Sequence, residues 1–435
     1  MISPARNLAF RLLERIETRS LNSDAAVNDP EMERLDERDR RLAAEIIYGA
    51  LRRRATLDWL LAERSSRPWK EIARSAKIIL RMGLYQLWML DRIPDHALVN
   101  DAVEIAKSEL GIGVSRYVNG ILRGLARMRP WNEKDWLCKA PEYAQLSLPQ
   151  WLWARWRKRF GRVAAKEYAM SLLAPPRAAF RIGAGIYKIS ESDSPFLEQS
   201  DIVPGAFFAA EETHASGLPP GACFQDEASQ LIPWLAGPLN HGVRIWDACA
   251  APGGKSAVFS AMQCDDMFLV SSDINPNRAK HLRSILRGAA GASVPDPAVL
   301  AVDARFAPPF RSSFDLACAD VPCSGLGTIR RNPEIKWRIS PENLNGFHET
   351  QLQILTNVSK TVRPGGRLLY STCSTEPEEN ERVIEDFLEM HPDFRLQAPT
   401  YPAGIERWTG NDLMVRTFPT RRLWDGFFAA LLIKF

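Results

Sequence analysis

The chain has 435 residues, 46% of them hydrophobic, and a formal net charge of +4. That length holds two or three domains with at least one sizeable core, which excludes a disordered chain, and the charge is too mild to demand a nucleic-acid partner by itself. No apolar run is long enough for a bilayer, and Arg6, Arg11, Glu14, Arg15 and Glu17 stand where a secretory leader would be apolar, so a cytoplasmic protein with no membrane partner is expected.

Residues 1–130 read as an all-helical bundle. Ser3 followed by Pro4 marks a helix start, after which Ala5, Leu8, Ala9, Leu12, Leu13 and Ile16 recur at helical spacing. A second stripe runs through Ile72, Ala76, Ile79, Leu80, Leu84, Leu87 and Trp88. Between and along them Arg52, Arg53, Arg54, Arg64, Arg67, Lys70, Arg74, Lys77 and Arg81 concentrate positive charge. Residues 131–220 read as a linker helix and a small α+β module. A helix near 150–160 interleaves Arg155, Arg157, Lys158 and Arg159 with Trp151, Trp153, Trp156 and Phe160, and residues 178–182 form a strand.

From 221 to 435 the pattern becomes strand, turn, helix, repeated, which predicts a parallel sheet covered by helices on both faces. Strands are expected at residues 243–246, 267–271, 298–302, 314–319 and 367–370. They lead into the turn from Cys249 to Lys255, then Asp273, Asp303, Asp320 and Cys373, placing acids and a thiol at strand carboxyl ends, where open α/β sheets bind ligands.

The run Asp247-Ala248-Cys249-Ala250-Ala251-Pro252-Gly253-Gly254-Lys255-Ser256 ends like a phosphate-binding loop but has Cys249 where that template needs its first glycine. It remains a small-residue turn through which a cofactor can approach a helix N-terminus. Asp273 can accept both hydroxyls of a ribose, and Asp303 can receive an adenine amino group. The seven cysteines are scattered, odd in number and without metal-ligand spacing, so reduced thiols and no metal site are expected. Cys323, in Asp320-Val321-Pro322-Cys323-Ser324-Gly325, and Cys373, in Ser371-Thr372-Cys373-Ser374, each follow a strand. Either alone reads as a packing group; two at neighbouring strand ends beside the glycine turn read as chemistry. Arg330, Arg331, Lys336 and Arg338 follow the first cysteine, either as a solvated loop or as a lip gripping phosphates at the mouth of the site.

At these residues the chain resembles the RNA cytosine-C5 methyltransferases of the Sun/Fmu (RsmB-like) type, over nearly its full length. The resemblance is carried by residues 247–255, 320–337 and 371–374, by Pro377-Glu378-Glu379-Asn380, and by Asp425-Gly426-Phe427-Phe428. Ile47-Tyr48-Gly49 and Leu51-Arg52-Arg53-Arg54 are similar to a NusB-like RNA-binding domain. It implies a multidomain protein: a NusB-like bundle, a small α+β module and an α/β Rossmann-like methyltransferase domain. It also implies S-adenosylmethionine as cofactor, held by Cys249, Ala250, Ala251, Pro252, Gly253, Gly254, Lys255, Asp273, Asp303 and Asp320. Cys373 is then the nucleophile at a cytosine, Cys323 assists elimination, and Asp320 lies near the base. Arg52, Arg53, Arg54, Arg330, Arg331 and Lys336 contact RNA, 16S ribosomal RNA being the implied substrate of a monomeric enzyme. Two departures stand out: Arg181-Ile182-Gly183 replaces the usual Arg-Val-Asn, and residues 288–297 are looser than usual. Two alternatives stay open, an RNA-binding assembly factor with a vestigial methyltransferase fold, and a methyltransferase acting on transfer RNA or protein.

Overall fold

The computed structural model describes residues 2–91, 93–128, 137–181, 197–209, 222–262, 266–290, 297–310, 313–418 and 424–435. Ile182, Gly183 and most of the 288–297 stretch lie outside these residues. The chain forms two compact units: Met1–Pro175 with Ile329–Ser340, and Pro176–Thr328 with Pro341–Phe435. The division differs from the expected boundaries at 130 and 220: the linker helices join the helical unit, and the strands that follow join the α/β unit. No helix among the described residues is long and apolar enough to cross a membrane.

The helical unit is built on Pro4–Glu17, Glu37–Arg52, Arg54–Arg64, Arg74–Met89, Asp95–Leu110 and Ile112–Ala126. Both predicted stripes face its core, and Ala5, Leu8, Ala9, Leu12, Leu13 and Ile16 are all buried. Ser3 is the N-cap residue as its sequence suggests, although its side chain caps nothing. Asp36 caps the Glu37–Arg52 helix by accepting the Asp39 N–H at 2.7 Å. Gly49 is required within that helix, because a Cβ there would sit 1.9 Å from the Tyr85 ring. The Gln150–Phe160 and Arg162–Ser171 helices follow, and Trp156 packs on Tyr168 with ring centroids 4.4 Å apart.

The α/β unit opens with a small antiparallel sheet of β1 (Ala179–Arg181), β2 (Leu197–Gln199), β3 (Ala206–Ala209) and β4 (Cys223–Phe224), in the order β2-β3-β1-β4. Its main sheet contains β5 (Arg244–Asp247), β6 (Phe268–Asp273), β7 (Ala298–Ala301), β8 (Phe314–Asp320), β9 (Val362–Thr372), β10 (Phe394–Gln397), β11 (Val415–Arg416) and β12 (Phe428–Lys434). The order is β10-β12-β9-β8-β5-β6-β7, with β11 paired to β12. Strands β5 to β9 are parallel, as expected. The β12 strand, unanticipated in the sequence, runs antiparallel between β9 and β10, a pairing that needs no crossover helix.

Alternate residues of the central strands enter separate cores, as a period of two requires of a sheet covered on both faces. Ala317, Ala319, Leu368 and Tyr370 pack with Ile354 and Leu355 of the Pro341–Ser359 helix and with Val383 and Phe387 of Glu381–Met390. Leu316, Cys318 and Leu369 pack with Leu231 and Ile232 of Glu227–Trp234 and with Val258 and Phe259 of Gly254–Ala261.

Candidate active site

Strand β5 is central, and from it the chain winds first outward through β6 and β7, then back to β8 and β9 on the other side. The sheet's topological switch therefore lies at the carboxyl end of β5, where neighbouring connections diverge and leave a crevice. The turn leaving β5 is tied to both neighbours: the Ala248 N–H donates to the Cys318 carbonyl at 2.9 Å, and the Ala250 N–H to the Ser272 carbonyl at 2.8 Å. Gly253 takes φ +116°, open to glycine at no steric cost, and a Cβ there would meet Leu282 at 2.8 Å. The Gly254–Ala261 helix starts immediately after it.

A cavity of about 360 Å³ opens at this edge, and Cys249, Ala251, Asp273, Asp303, Asp320, Cys323 and Cys373 all line it. Ala250, Pro252, Gly253, Gly254 and Lys255 shape the turn without lining the cavity. Asp273 is 5% exposed; its Oδ1 accepts the Asn275 N–H at 2.8 Å and faces an Arg278 guanidinium nitrogen at 3.0 Å. Asp303 is braced by the Arg305 side chain, whose hydrogen bonds hold the carboxyl below its ordinary range. Asp320 accepts the Lys255 ammonium at 2.6 Å and the Ser371 hydroxyl at 2.8 Å. Burial pulls the Lys255 pKa down, but the Asp320 charge and hydrogen bond outweigh it and the ammonium is stabilised. Burial pushes the Cys249 thiol up, helped by the Asp247 charge, so this cysteine is a neutral wall of the cavity.

The sulfurs of Cys323 and Cys373 lie 3.0 Å apart, both as free cysteines. The register explains the pairing: β8 and β9 run side by side with Asp320 opposite Ser371, so residues three and two positions further on leave the sheet together. The Leu326–Thr328 turn is then clamped: the Gly327 N–H donates to the Cys373 carbonyl at 2.9 Å, and the Gly426 N–H to the Gly327 carbonyl at 2.8 Å. Side chains have no room here, since a Cβ on Gly327 would stand 1.9 Å from the Gly426 oxygen. The Cys323 thiol is pushed well up, first by its hydrogen bond with Cys373, then by burial and by the Cys373, Glu379 and Asp320 charges. The 3.0 Å contact is a hydrogen bond in which either sulfur can be the donor.

Sequence reasoning noted Pro377-Glu378-Glu379-Asn380 as a motif but gave it no task. Glu379 is fully buried and accepts from the Ser324 N–H at 2.7 Å, the Ser324 hydroxyl at 2.5 Å, the Ser374 hydroxyl, and the Gln351 amide at 3.1 Å. Asn380 accepts the Thr372 hydroxyl at 2.6 Å and donates to the Ser374 carbonyl at 3.0 Å. An acid five residues past the Thr372-Cys373-Ser374 segment was the available signal.

The expected RNA-gripping residues are placed differently. Residues Ile329–Ser340 belong to the helical unit, and Arg330 and Lys336 are 1% and 0% exposed. The Lys336 ammonium donates to the Arg52 carbonyl at 2.9 Å, the Trp337 indole to the Leu51 carbonyl at 2.8 Å, and Arg338 to the Ile16 carbonyl at 2.8 Å. Helix carboxyl ends leave such carbonyls unsatisfied, and this segment supplies their donors. Arg52 is itself buried and donates to the Arg330 carbonyl at 3.2 Å. Of the expected lip, Arg330 and Lys336 are corrected to buried internal anchors and Arg331 and Arg338 keep partial exposure; of the Arg52–Arg54 cluster, Arg52 is buried and Arg53 and Arg54 keep partial exposure. Arg53 lies over the Trp88 ring, Arg54 pairs with Glu17 at 3.1 Å, and Arg81 is buried between Glu17 and Asp58. Trp153 and Trp156 are core residues, unavailable for stacking on bases. Arg64, Arg67, Lys70 and Arg74 of the expected cluster are exposed, as are Arg116, Arg123 and Arg127, the last two beside a groove shared with His96, Asn100 and Asn119.

Residues 234–433 match the family model of 16S rRNA methyltransferase RsmB/F, and residues 3–127 match that of the NusB family. The ribosomal RNA small subunit methyltransferase B of Thermus thermophilus is 33% identical, spanning 91% of this chain and 89% of its own. A probable ribosomal RNA small subunit methyltransferase B of Synechocystis is 30% identical over the full length of both chains. Among solved structures, that of PH0851 covers 100% of this chain and 99% of its own with a TM-score of 0.81 at 24% identity, a likeness of fold.

Proposed function

Because the chain belongs to the family of 16S ribosomal RNA methyltransferases RsmB/F, we propose that it methylates carbon 5 of a cytosine in small-subunit ribosomal RNA, with Cys373 as the attacking thiolate and Cys323 assisting release. The observation that carries this reading is the 3.0 Å approach of the two sulfurs at the wall of the strand-end cavity. Carbon 5 of cytosine is a weak nucleophile, and a thiolate added at carbon 6 converts the ring to an enamine, a task suited to cysteine. The stacked base hides that face, so the target nucleotide is extruded before Cys373 reaches it.

The residues present fit S-adenosylmethionine. The cavity falls in the range of roughly 300–1,000 Å³ typical of small-molecule sites. Asp273 offers a carboxylate for ribose hydroxyls and Asp303 an acceptor for an adenine amino group. Bound there, the cofactor supplies an electrophilic methyl group. The chain's own groups do the rest. Lys255 and Ser371 fix the Asp320 carboxylate beside the thiols, where it can accept from a base amino group. Once Cys373 is consumed in an adduct, its hydrogen bond with Cys323 is gone. Cys323, its own proton passed to solvent, can take the carbon 5 proton as a thiolate, directly or through water. The electron pair left behind re-forms the ring double bond as the carbon 6–sulfur bond breaks and Cys373 leaves as thiolate.

Two variants with labelled cofactor and ribosomal RNA test the assignment. Cys373→Ala methylates nothing and forms no adduct, whereas Cys323→Ala accumulates RNA bound to protein on denaturing gels. Adduct formation by Cys373→Ala would exchange the two roles, and bisulfite sequencing without any modified cytosine would remove the substrate.

A further inference from the structure

Both cysteines depend on loops that leave separate strands, and a sulfur separation of 3.0 Å needs those loops to be held against each other. Within the α/β unit, one side chain reaches both. Glu379 Oε1 accepts the Ser324 N–H at 2.7 Å, and its Oε2 accepts the hydroxyls of Ser324 at 2.5 Å and of Ser374. Ser324 directly follows Cys323, and Ser374 directly follows Cys373. Gln351 completes the set, donating to Glu379 Oε1 at 3.1 Å and to the Pro322 carbonyl at 3.0 Å, just before Cys323. The Glu379 carbonyl is held by the Tyr370 hydroxyl at 2.6 Å, on the strand that delivers Cys373.

We propose that Glu379 is a positioning residue for the thiol pair: one buried carboxylate grips the residue after each cysteine and so holds the two sulfurs 3.0 Å apart. It touches neither substrate nor cofactor and acts through the two serines. Its charge has a second effect. Cys323 faces Cys373, Glu379 and Asp320, and Tyr370 lies close by, so the Glu379 charge is one of those that keep the Cys323 proton in place. Burial pushes the Glu379 carboxyl up, and the Ser324 and Ser374 hydrogen bonds oppose that shift. The inference rests on the methyltransferase reading for its catalytic consequence, but not for its effect on thiol chemistry.

The test compares Glu379→Ala and Glu379→Gln in the full chain. A glutamine can keep its oxygen toward the Ser324 N–H and turn its amide to the two hydroxyls, so it preserves the grip and removes the charge. Expected outcomes are a loss of kcat of about 100-fold or more in Glu379→Ala, on the scale of misplaced reacting groups. Glu379→Gln should stay within about 10-fold, which is 1.4 kcal/mol. The affinity for S-adenosylmethionine, measured by calorimetry, should stay unchanged in both, since Asp273 and Asp303 are untouched. Iodoacetamide labelling followed by peptide mass spectrometry, which needs no RNA, should show Cys323 reacting at lower pH in both variants, by about one unit. Equal kcat in all three proteins with an unmoved Cys323 profile would overturn the proposal, as would joint loss of cofactor affinity and turnover in a folded Glu379→Ala. Should Glu379→Ala fail to fold, a Ser324→Ala/Ser374→Ala double variant must reproduce the kcat loss at unchanged cofactor affinity, and normal turnover there refutes the grip. If the wild-type chain methylates no RNA, the methyltransferase reading falls, and the Cys323 labelling profile alone decides the role of Glu379.

Discussion

Asp247, at the end of β5, makes the glycine turn sensitive to pH. It is 1% exposed, its Oδ2 accepts the Ser256 hydroxyl at 2.6 Å, and its Oδ1 has no hydrogen-bond partner. Burial raises its pKa from 3.8 to about 7, opposed by the Ser256 hydrogen bond and reinforced by the Asp320 charge. A folded pKa above the unfolded one means that the native state binds the extra proton between those two values. Stability from this group is therefore complete below pH 3.8 and is lost as pH rises to about 7. From pH 5 to pH 8 the loss covers two pH units, about 3 kcal/mol at roughly 1.4 kcal/mol per unit. Asp247→Asn keeps an acceptor for Ser256 and cannot titrate; its unpaired amide costs the same at every pH and cancels from the slope. Amide exchange over residues 244–262, read by mass spectrometry at a series of pH values, gives the opening free energy of wild type and variant. The difference curve should fall by about 3 kcal/mol between pH 5 and 8. A flat difference, with both proteins equally stable across that window relative to pH 5, refutes a proton on Asp247 in the native state.

Gly327→Ala should abolish methylation while leaving the helical unit folded by circular dichroism, because a Cβ 1.9 Å from the Gly426 carbonyl must push the Cys323 loop off the Cys373 strand. Trp337→Phe keeps the ring under Arg54 but loses the donor to the Leu51 carbonyl, and should cost the helical unit about 1–3 kcal/mol in urea unfolding of the full chain. Asp273→Asn should weaken S-adenosylmethionine binding by about tenfold or more in calorimetry, the loss of one charge-assisted hydrogen bond to ribose. Arg123→Ala/Arg127→Ala should weaken ribosomal RNA binding and lower its salt slope by about two, whereas Lys336→Met, at a buried site, should leave that slope unchanged.

The parallel core was legible because each of its strands is a short apolar run ending in a chemically distinct residue: Asp273 at β6, Asp320 at β8, Cys373 just past β9. Such runs are buried on both faces, so their hydrophobicity is continuous and their ends are abrupt. The Phe428–Lys434 strand is equally apolar, but its acid and glycine, Asp425 and Gly426, precede it rather than end it, and its antiparallel pairing depends on β9 and β10 rather than on itself. The cationic residues failed for a related reason. Arg52, Arg81, Arg330 and Lys336 look exposed in a linear sequence, because what makes their burial tolerable lies far along the chain: Glu17 and Asp58 for Arg81, and the carbonyl ends of the Glu37–Arg52 helix for Lys336. Charge density along a sequence reports side chains, whereas RNA responds to the charge that remains after internal pairing.

The same logic separates what was legible in the site from what was not. Cys323 and Cys373 read as candidate reactive residues at strand ends, and the register of β8 and β9 brings those two ends side by side. Register fixes where two strands end, but not how two loops meet. Gly327 against Gly426 and Glu379 across Ser324 and Ser374 supply that second constraint, and Gly426 and Glu379 both lie far along the chain from the Cys323 loop. None of these residues lines the cavity. Reading the cysteines without them places two sulfurs at neighbouring strand ends but gives no reason for the 3.0 Å between them; in the proposed arrangement that spacing depends on Glu379 and the two serines as much as on the strands.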